Sequence, residues 1–332
     1  MPEIRFNVVT QDWIVFAGER ARRPDQFAEH GIERQPRPAR DPQCPFCPGN
    51  EAMTPPEIFR LPADGNWKVR VVPNKFAALD SQGELHRRAW GLKRVISGVG
   101  LHEVLIEAPE HDRTMPMLEP EEMRSIIRVY HQRYCAAAAD PRVAHVTVFK
   151  NHGLRAGTSL VHTHSQLIAT PIIPPQVRSR MENALRFYDE YGDCVFCRVL
   201  AEEEADAERV VVSTDRFLAF IPFAAYSPFH TWIYPRHHEA SFALATDEEL
   251  DDLAVTLRTV LRKTWRGLND PDFNLAVRSA PAECAMVKYY HWYLSVIPRV
   301  TRIAGFELGS GMFINTGIPE QTAGFLRSVP AG

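Results

Sequence analysis

The feature that most constrains the fold of this chain is an internal repeat. Each half of the 332 residues contains one Cys-x-x-Cys pair, Cys44 with Cys47 and Cys194 with Cys197. After each pair come strand-like runs, one of which opens on histidine and ends at a proline followed closely by another histidine. An amphipathic helix and two further strands complete each passage. A repeat of this kind predicts two similar structural units within one chain.

The predicted strands are short apolar runs rich in β-branched and aromatic residues. In the first half they are residues 69–72, 76–79, 102–106, 145–149 and 160–169. In the second half they are residues 210–212, 217–220, 230–234, 273–277 and 290–297.

Each half is also predicted to contain one amphipathic helix. The first begins near Pro120, and its apolar stripe is Met123, Ile126, Ile127, Tyr130 and Tyr134. The second has Thr246 as its N-cap, followed by three acidic residues, and its stripe is Leu250, Leu253, Ala254, Leu257, Val260 and Leu261. Strand-rich units with one packed helix each predict an α+β fold of two pseudo-symmetric halves, residues 1–172 and 173–332. We expect antiparallel sheets of about five strands per half, which can join across the halves.

Aligning the sequences of the two halves predicts two metal sites. The first set is Cys44, Cys47, His111 and His162, and the second is Cys194, Cys197, His238 and His291. Each set is Cys₂His₂, the donor set of a closed tetrahedral zinc site. The alternative is chance Cys-x-x-Cys pairs with core histidines, and the repetition of all four ligands argues against it. His237 competes with His238 as a ligand, and the sequence leaves that choice open.

The same comparison singles out His164. Alternate side chains of a strand share a face, so His162 and His164 are predicted to point the same way. His162 matches His291, which makes both of them candidate ligands, whereas His164 matches Tyr293. A histidine without a counterpart or a metal is available for nucleophilic attack on phosphorus.

Bulk composition excludes several functional classes. With 45% hydrophobic and 24% charged residues the chain is that of a globular protein, and its net charge of −3 offers no general attraction to nucleic acid or to an anionic membrane. We expect no partner of either kind. The N-terminal residues lack the apolar core of a signal peptide, so we expect a cytoplasmic protein. In a reducing compartment paired cysteines favour metal ligation or redox work over disulfides.

The motif His162-x-His164-x-Gln166, after an Asn/Gly/Ser-bearing loop and together with the Cys-x-x-Cys and Pro-x-His patterns, resembles the galactose-1-phosphate uridylyltransferase branch of the histidine-triad superfamily. The similarity extends from Asp12-Trp13 to Gly305-Phe306-Glu307. The HxHxQ motif and the second half look closest to the ADP-glucose phosphorylase-like members. The resemblance implies two histidine-triad-like halves, two structural zinc ions per chain, a homodimer and ping-pong nucleotidyl transfer.

The resemblance also implies roles for individual residues. His164 would attack the α-phosphorus of a nucleoside diphosphate sugar, and Gln166 would hydrogen-bond the transferred phosphoryl group. The remaining substrate-binding candidates are Arg20, Arg23, Asn74, Asn151, Gly153, Gly157, Ser159 and Glu307.

One departure bears on the acceptor. The uridylyltransferases have a lysine shortly before the equivalent of Gly305 and a tyrosine after it, where this chain has Arg302 and Phe306. Three hypotheses follow. The first is uridylyl exchange between UDP-glucose and a hexose 1-phosphate, as in galactose metabolism. The second is an ADP-glucose phosphorylase or adenylyltransferase with phosphate as acceptor. The third is a zinc-stabilised nucleotide-binding module without turnover.

Overall fold

The computed structural model describes residues 2–17, 22–30 and 36–332. Within these ranges the strands are β1 (Glu3–Phe6), β2 (Trp13–Phe16), β3 (Phe59–Leu61), β4 (Val69–Pro73), β5 (Arg87–Trp90), β6 (Lys93–Ile96), β7 (Leu101–Ile106), β8 (His145–His152), β9 (His164–Thr170), β10 (Val210–Ser213), β11 (Phe217–Phe220), β12 (Thr231–Pro235), β13 (Phe273–Arg278), β14 (Tyr293–Pro298) and β15 (Phe313–Asn315). The α-helices are α1 (Pro120–Ala138), α2 (Pro175–Tyr191), α3 (Val195–Asp206), α4 (Asp247–Gly267), α5 (Gly305–Ser310) and α6 (Pro319–Ser328).

Ten strands form one continuous sheet in the order β10-β11-β12-β14-β13-β8-β9-β7-β4-β3. Every neighbouring pair is antiparallel. The halves contribute five strands each, and β8 pairs with β13 to join them. The predicted α+β class with antiparallel sheets is therefore confirmed, as is the joining of the sheets. The division between residues 172 and 173 stays a prediction.

Helices α1 and α4 pack against each other and against the sheet. Both predicted apolar stripes are buried in one hydrophobic core, which confirms the helical periodicity. The predicted cap of α4 is also confirmed. Thr246 Oγ1 accepts a hydrogen bond from the Glu249 amide at 3.3 Å, and Glu249 Oε2 accepts one from the Thr246 amide at 2.8 Å. This reciprocal pair satisfies two amide donors that the first turn leaves open.

Residues 76–79 form a turn, so the strand predicted there is wrong. Asn74 Oδ1 accepts a hydrogen bond from the Phe76 amide at 2.8 Å, and His102 Nδ1 accepts one from the Ala78 amide at 3.1 Å. Side chains thus take the backbone donors that a strand would offer to its neighbour.

Two predicted strands also begin later than expected. Strand β9 starts at His164 rather than at residue 160, and β14 starts at Tyr293 rather than at residue 290. In both cases the histidine that precedes the strand, His162 or His291, turns its side chain towards the cysteines instead of extending the sheet.

Two smaller sheets lie outside the main one. Strands β1, β2 and β15 form a three-stranded sheet, and β5 and β6 form an exposed hairpin. Within the described ranges, no helix has both the length and the apolar character needed to cross a membrane.

Candidate active site and metal centres

His164 begins β9 and is buried, with 7% of its surface exposed. Its Nδ1 lies 2.8 Å from the backbone oxygen of His162, so Nδ1–H donates to that carbonyl. The other ring nitrogen, Nε2, then carries the lone pair. Burial, with the charge of Lys150 adding to it, lowers the pKa of His164. The ring is consequently neutral near pH 7 and can act as a nucleophile through Nε2.

A buried ion pair lies behind the nucleophile. Lys150 Nζ is 2.5 Å from Glu107 Oε2, and it also donates to the His164 carbonyl at 2.9 Å and to Thr163 Oγ1 at 3.0 Å. Glu107 accepts further hydrogen bonds from the hydroxyls of Thr163, Tyr130 and Ser165. Burial raises the pKa of Glu107, but Lys150 and these donors outweigh burial and hold it below its usual value. Charge and hydrogen bonds thus fix the backbone that carries His164.

Gln166 faces a histidine and an asparagine. His102 Nδ1 accepts the Ala78 amide, so its Nε2–H donates to Gln166 Oε1 at 2.8 Å. Asn74 Nδ2 donates to the same oxygen at 3.4 Å. Because these donors occupy Oε1, the two N–H bonds of the Gln166 amide are left to bind an acceptor such as a phosphoryl oxygen.

A glycine-bearing loop follows β8 beside His164. Gly153 has φ +83°, and a Cβ there would lie 1.8 Å from Asp272 Oδ1. Gly157 has φ +91°. Only glycine suits a backbone of positive φ that also approaches a carboxylate so closely. Asn151 lies near the end of β8, just before the loop, and its Oδ1 accepts a hydrogen bond from Asn274 Nδ2 at 2.7 Å.

A cavity of about 330 Å³ lies over this loop and the nucleophile. Its lining includes His164, Asn151, Gly153 and Thr158, together with the cationic side chain of Arg37. Glycine backbone on one wall of this cavity and a guanidinium on another suit a phosphate group. The structure therefore brings Asn151 and Gly153 together with His164.

Other predicted contacts lie elsewhere. Ser159 is exposed and does not line this cavity, and Arg23 is exposed, with its amide donating to Gln26. Arg20 lies outside the described residues. Glu307 caps α5, where its carboxylate accepts the Ala304 amide at 2.9 Å.

A separate cationic cleft of about 460 Å³ adjoins the glycine-bearing loop. It is lined by Arg22, Arg155, Arg299, Arg302, Val300, Thr301 and Thr316. Arg155 belongs to the turn that begins at Gly153, so the loop connects this cleft to the cavity over His164. Arg302 therefore lies among other guanidinium groups.

The first predicted set of metal ligands forms a compact cluster. Cys44 Sγ and Cys47 Sγ are each 3.6 Å from His162 Nδ1, and Cys47 Sγ is 3.5 Å from His111 Nδ1. Tetrahedral zinc, with Zn–S near ~2.3 Å and Zn–N near ~2.05 Å, would separate sulfur and nitrogen ligands by about 3.5 Å. The His162 Nε2–H donates to the Ala108 carbonyl at 2.8 Å, which directs the Nδ1 lone pair towards the cysteines.

The second predicted set also clusters. Cys197 Sγ is 3.2 Å from His238 Nδ1 and 3.5 Å from His291 Nδ1, and Cys194 completes the group. In both sets the donor atoms lie within 4.8 Å of one another, so two Cys₂His₂ clusters can hold metal ions. His237 is exposed and faces Glu239 instead, at 3.6 Å. The geometry therefore favours His238 over His237.

Sequence reasoning missed three residues of this region. Lys150 and Glu107 are charged residues next to apolar strand runs, which is a weak signal of a buried pair. His102 had a clearer signal, because each half places a histidine at the start of the equivalent strand. Their partners, however, lie on other strands and become visible only in the folded sheet.

The fold and the site together define a class of protein. The described part of the chain is a pseudo-symmetric α+β protein with two Cys₂His₂ clusters and a buried, neutral histidine, His164, beside a cavity of about 330 Å³. A neutral imidazole of this kind has the chemistry of a nucleophile that can form covalent intermediates.

Comparisons with known proteins identify the family. The galactose-1-phosphate uridyl transferase N-terminal domain matches residues 1–174, and the C-terminal domain of the same family matches residues 146–315. ADP-glucose phosphorylase from Arabidopsis thaliana is 35% identical, over 99% of this chain and 93% of that protein. Galactose-1-phosphate uridylyltransferase from Thermotoga maritima is 25% identical, over 98% of each chain.

Solved structures agree with the sequence matches. The crystal structure of the Arabidopsis thaliana ADP-glucose phosphorylase with bound ADP-glucose superposes with a TM-score of 0.83 at 32% identity, covering 99% of both chains. A uridylyltransferase structure has a TM-score of 0.76 at 26% identity, covering 99% of this chain and 98% of that one. This chain belongs to the galactose-1-phosphate uridyl transferase family and is a nucleotidyltransferase.

Proposed function

We propose that the chain transfers a nucleotidyl group from a nucleoside diphosphate hexose through a covalent intermediate on His164. The observation that carries the proposal is the hydrogen bond from Nδ1 to the His162 carbonyl, which leaves the Nε2 lone pair facing outward from a neutral ring. Nε2 attacks the α-phosphorus, the bond to the bridging oxygen breaks, and hexose 1-phosphate leaves with the bonding electrons. The positive charge that develops on the ring is stabilised by the His162 carbonyl, which accepts the hydrogen bond from Nδ1–H.

The second half of the reaction reverses these events. An oxygen of the phosphate acceptor attacks the same phosphorus, the phosphorus–nitrogen bond breaks, and neutral His164 is regenerated. Gln166 donates to a phosphoryl oxygen throughout, because His102 and Asn74 hold its own oxygen. Arg37 and the glycine-bearing loop bind the remaining charge.

The preferred donor and acceptor are proposed as ADP-glucose and inorganic phosphate. A relative of that activity is 35% identical over almost the whole chain. In addition, Phe306 replaces the tyrosine that helps the uridylyltransferases hold a sugar phosphate, and Arg302 contributes to a cleft suited to a compact dianion. Exchange between UDP-glucose and a hexose 1-phosphate is the second candidate, supported by the family match along the chain.

The two Cys₂His₂ clusters are proposed to hold one structural zinc ion each. Four protein ligands close the coordination shell, so the ions would stabilise the fold and supply no open position for chemistry. Burial lowers the pKa of His162 to about 4 and that of His291 to about 3, which keeps both rings in the neutral form that ligates metal. Elemental analysis should find about two zinc ions per chain, and Cys194→Ser should leave about one.

The decisive experiment weighs the intact protein after incubation with ADP-glucose or UDP-glucose, under alkaline conditions that preserve phosphoramidates. We expect an adenylyl adduct on the wild type, none on His164→Ala, and an unchanged adduct on the control His86→Ala, whose histidine is exposed. A uridylyl adduct alone would favour the second candidate. If the wild type binds the nucleotide sugar but forms no adduct, the chain is a nucleotide-binding module and the covalent mechanism is refuted.

We further propose a homodimer that works in the cytoplasm. The family resemblance supports the dimer, and paired cysteines suited to metal ligation support a reducing compartment. Light scattering coupled to size-exclusion chromatography should give about twice the chain mass of 37.7 kDa. A monomeric mass would exclude the dimer.

A further inference from the structure

A second cavity, larger than the one over His164, lies on the C-terminal half. Its volume is about 590 Å³, against about 330 Å³ for the cavity over His164. Strands β12, β13 and β14, helix α2 and the segment around β2 supply its walls. Exposed Gln176 and Ser179 line it together with buried residues, so it opens to solvent. Cavities of this size hold small organic ligands.

One contact beside this cavity repeats a contact of the active site. His230 Nε2 lies 2.8 Å from Ser295 Oγ, as His102 Nε2 lies 2.8 Å from Gln166 Oε1. His230 directly precedes β12 and Ser295 lies on β14, and their counterparts occupy β7 and β9 in the first half. The two halves therefore place a histidine and its polar partner at equivalent points of the sheet.

The equivalence extends to the nucleophile. Tyr293 stands two residues before Ser295, as His164 stands two residues before Gln166. Across the sheet, Arg278 pairs with Tyr293. Strands β8 and β9 pair Phe149 with Gln166, as β13 and β14 pair Ala276 with Ser295, so Asn151 is the counterpart of Arg278. At the mirrored position, the second half thus presents a phenol in place of the imidazole and a guanidinium in place of the asparagine.

The cavity is cationic, because among the described residues its arginines outnumber its one lining carboxylate, that of Asp12. Arg180, Arg278 and Arg299 all line it. Arg180 Nη1 is buried without a hydrogen-bond partner. Within the described part of the chain, Arg180 and Arg278 form no ion pair within 4.0 Å, although Asp12 also lines the cavity. Arg299 donates to Asn274. Guanidinium groups held away from bulk water without an anion are costly, and a bound anion would offset that cost.

We propose that this cavity is a second, non-catalytic binding site for a phosphate-bearing small molecule. Arg180 and Arg278 would bind the phosphate group, because paired guanidinium groups match its geometry and charge. The ligand would stay intact, since a phenolic hydroxyl at the place of His164 offers no imidazole lone pair. The volume leaves room for a sugar or nucleoside beside the phosphate, and this site does not depend on the reaction at His164.

The test counts binding sites by isothermal titration calorimetry with three probes, namely inorganic phosphate, glucose 1-phosphate and AMP. The variants are Arg180→Gln and Arg278→Gln, and the matched control is Arg178→Gln, an exposed arginine on the same helix. For at least one probe, we expect two sites per wild-type chain. Loss of charge-assisted contacts should weaken one of them roughly 10- to 100-fold in the two variants and leave it unchanged in the control.

A second measurement covers the case in which a variant misfolds. Crystals of the wild-type protein soaked in tungstate, a heavy analogue of phosphate, should show anomalous density within reach of both arginines. The probe that fills the second site identifies the source of the phosphate. A single site per chain for every probe, or no tungstate in this cavity, would overturn the proposal. Adduct formation on His164 is expected in all three variants, so failure here is distinct from failure of the proposed reaction.

Discussion

Replacement of Lys150 by methionine is expected to destabilise the protein and to slow adduct formation on His164. The Lys150 side chain is 1% exposed and that of Glu107 is 0% exposed, with 2.5 Å between Nζ and Oε2. Methionine fills a similar volume but leaves a carboxylate buried without its cation. It also removes the hydrogen bond from Nζ to the His164 carbonyl, so the nucleophile loses part of its support.

The size of the effect follows from the burial of the pair. Removing one partner of a buried ion pair costs about 3–5 kcal/mol, because the remaining charge is uncompensated. Unfolding entropy of ~2.1 cal/mol/K per residue amounts to ~0.7 kcal/mol/K for a chain of this length, so the melting temperature should fall by about 4–7 °C.

Thermal unfolding of the metal-loaded protein measures this shift, and intact mass measured against time gives the rate of adduct formation. Lys93→Met removes an exposed lysine and should change stability by less than ~0.5 kcal/mol. The double variant Glu107→Gln with Lys150→Met should recover more than half of the lost stability, since no charge is then left in the core. A Lys150→Met protein as stable as the Lys93→Met control would refute the reasoning.

Three further outcomes are expected. His102→Ala should slow adduct formation roughly 10-fold or more at unchanged metal content, because the Gln166 amide loses its fixed orientation. Gly153→Ala should lower the free energy of unfolding by ~1–3 kcal/mol or more, because φ is +83° and the added methyl group would clash with the carboxylate of Asp272. Burial lowers the pKa of His145 to about 4, so wild-type stability should fall by up to ~3 kcal/mol between pH 6.5 and 4. His145→Gln should reduce that dependence, whereas exposed His86→Gln should not.

Much of the fold was predictable because its signals are local. The helical stripes of α1 and α4 and the cap at Thr246 depend on residues three or four positions apart, and all of them are confirmed. Strand limits depend on partners that are distant in sequence. The local sequence does not show that His162 contacts a cysteine cluster, so that β9 begins after it and not at residue 160. Nor does it show that the side chains of Asn74 and His102 accept hydrogen bonds from the amides of residues 76 and 78.

The metal clusters were predictable for a different reason. Comparing two copies of one pattern filters out chance cysteines and histidines, and the structure brings together the same eight residues. The buried pair of Lys150 and Glu107 has no counterpart in the second half, where Val277 stands at the position of Lys150. Without repetition, a charged residue in a strand gives no hint of its partner.

Both halves have a Cys₂His₂ cluster, but only the first half has a histidine two residues after the last ligand of its cluster. His162 turns its Nδ1 towards Cys44 and Cys47, while its backbone oxygen accepts Nδ1–H of His164. The interaction that orients His162 therefore also fixes the carbonyl that selects the tautomer of His164. In the second half His291 occupies the same place, but the residue two positions later is Tyr293, which has no ring nitrogen to orient. A Tyr293→His variant would have an imidazole there without a counterpart of Lys150 and Glu107 behind it, so we expect it to form no adduct. That outcome would indicate that a nucleophile on this sheet needs both the carbonyl before it and the ion pair beneath it.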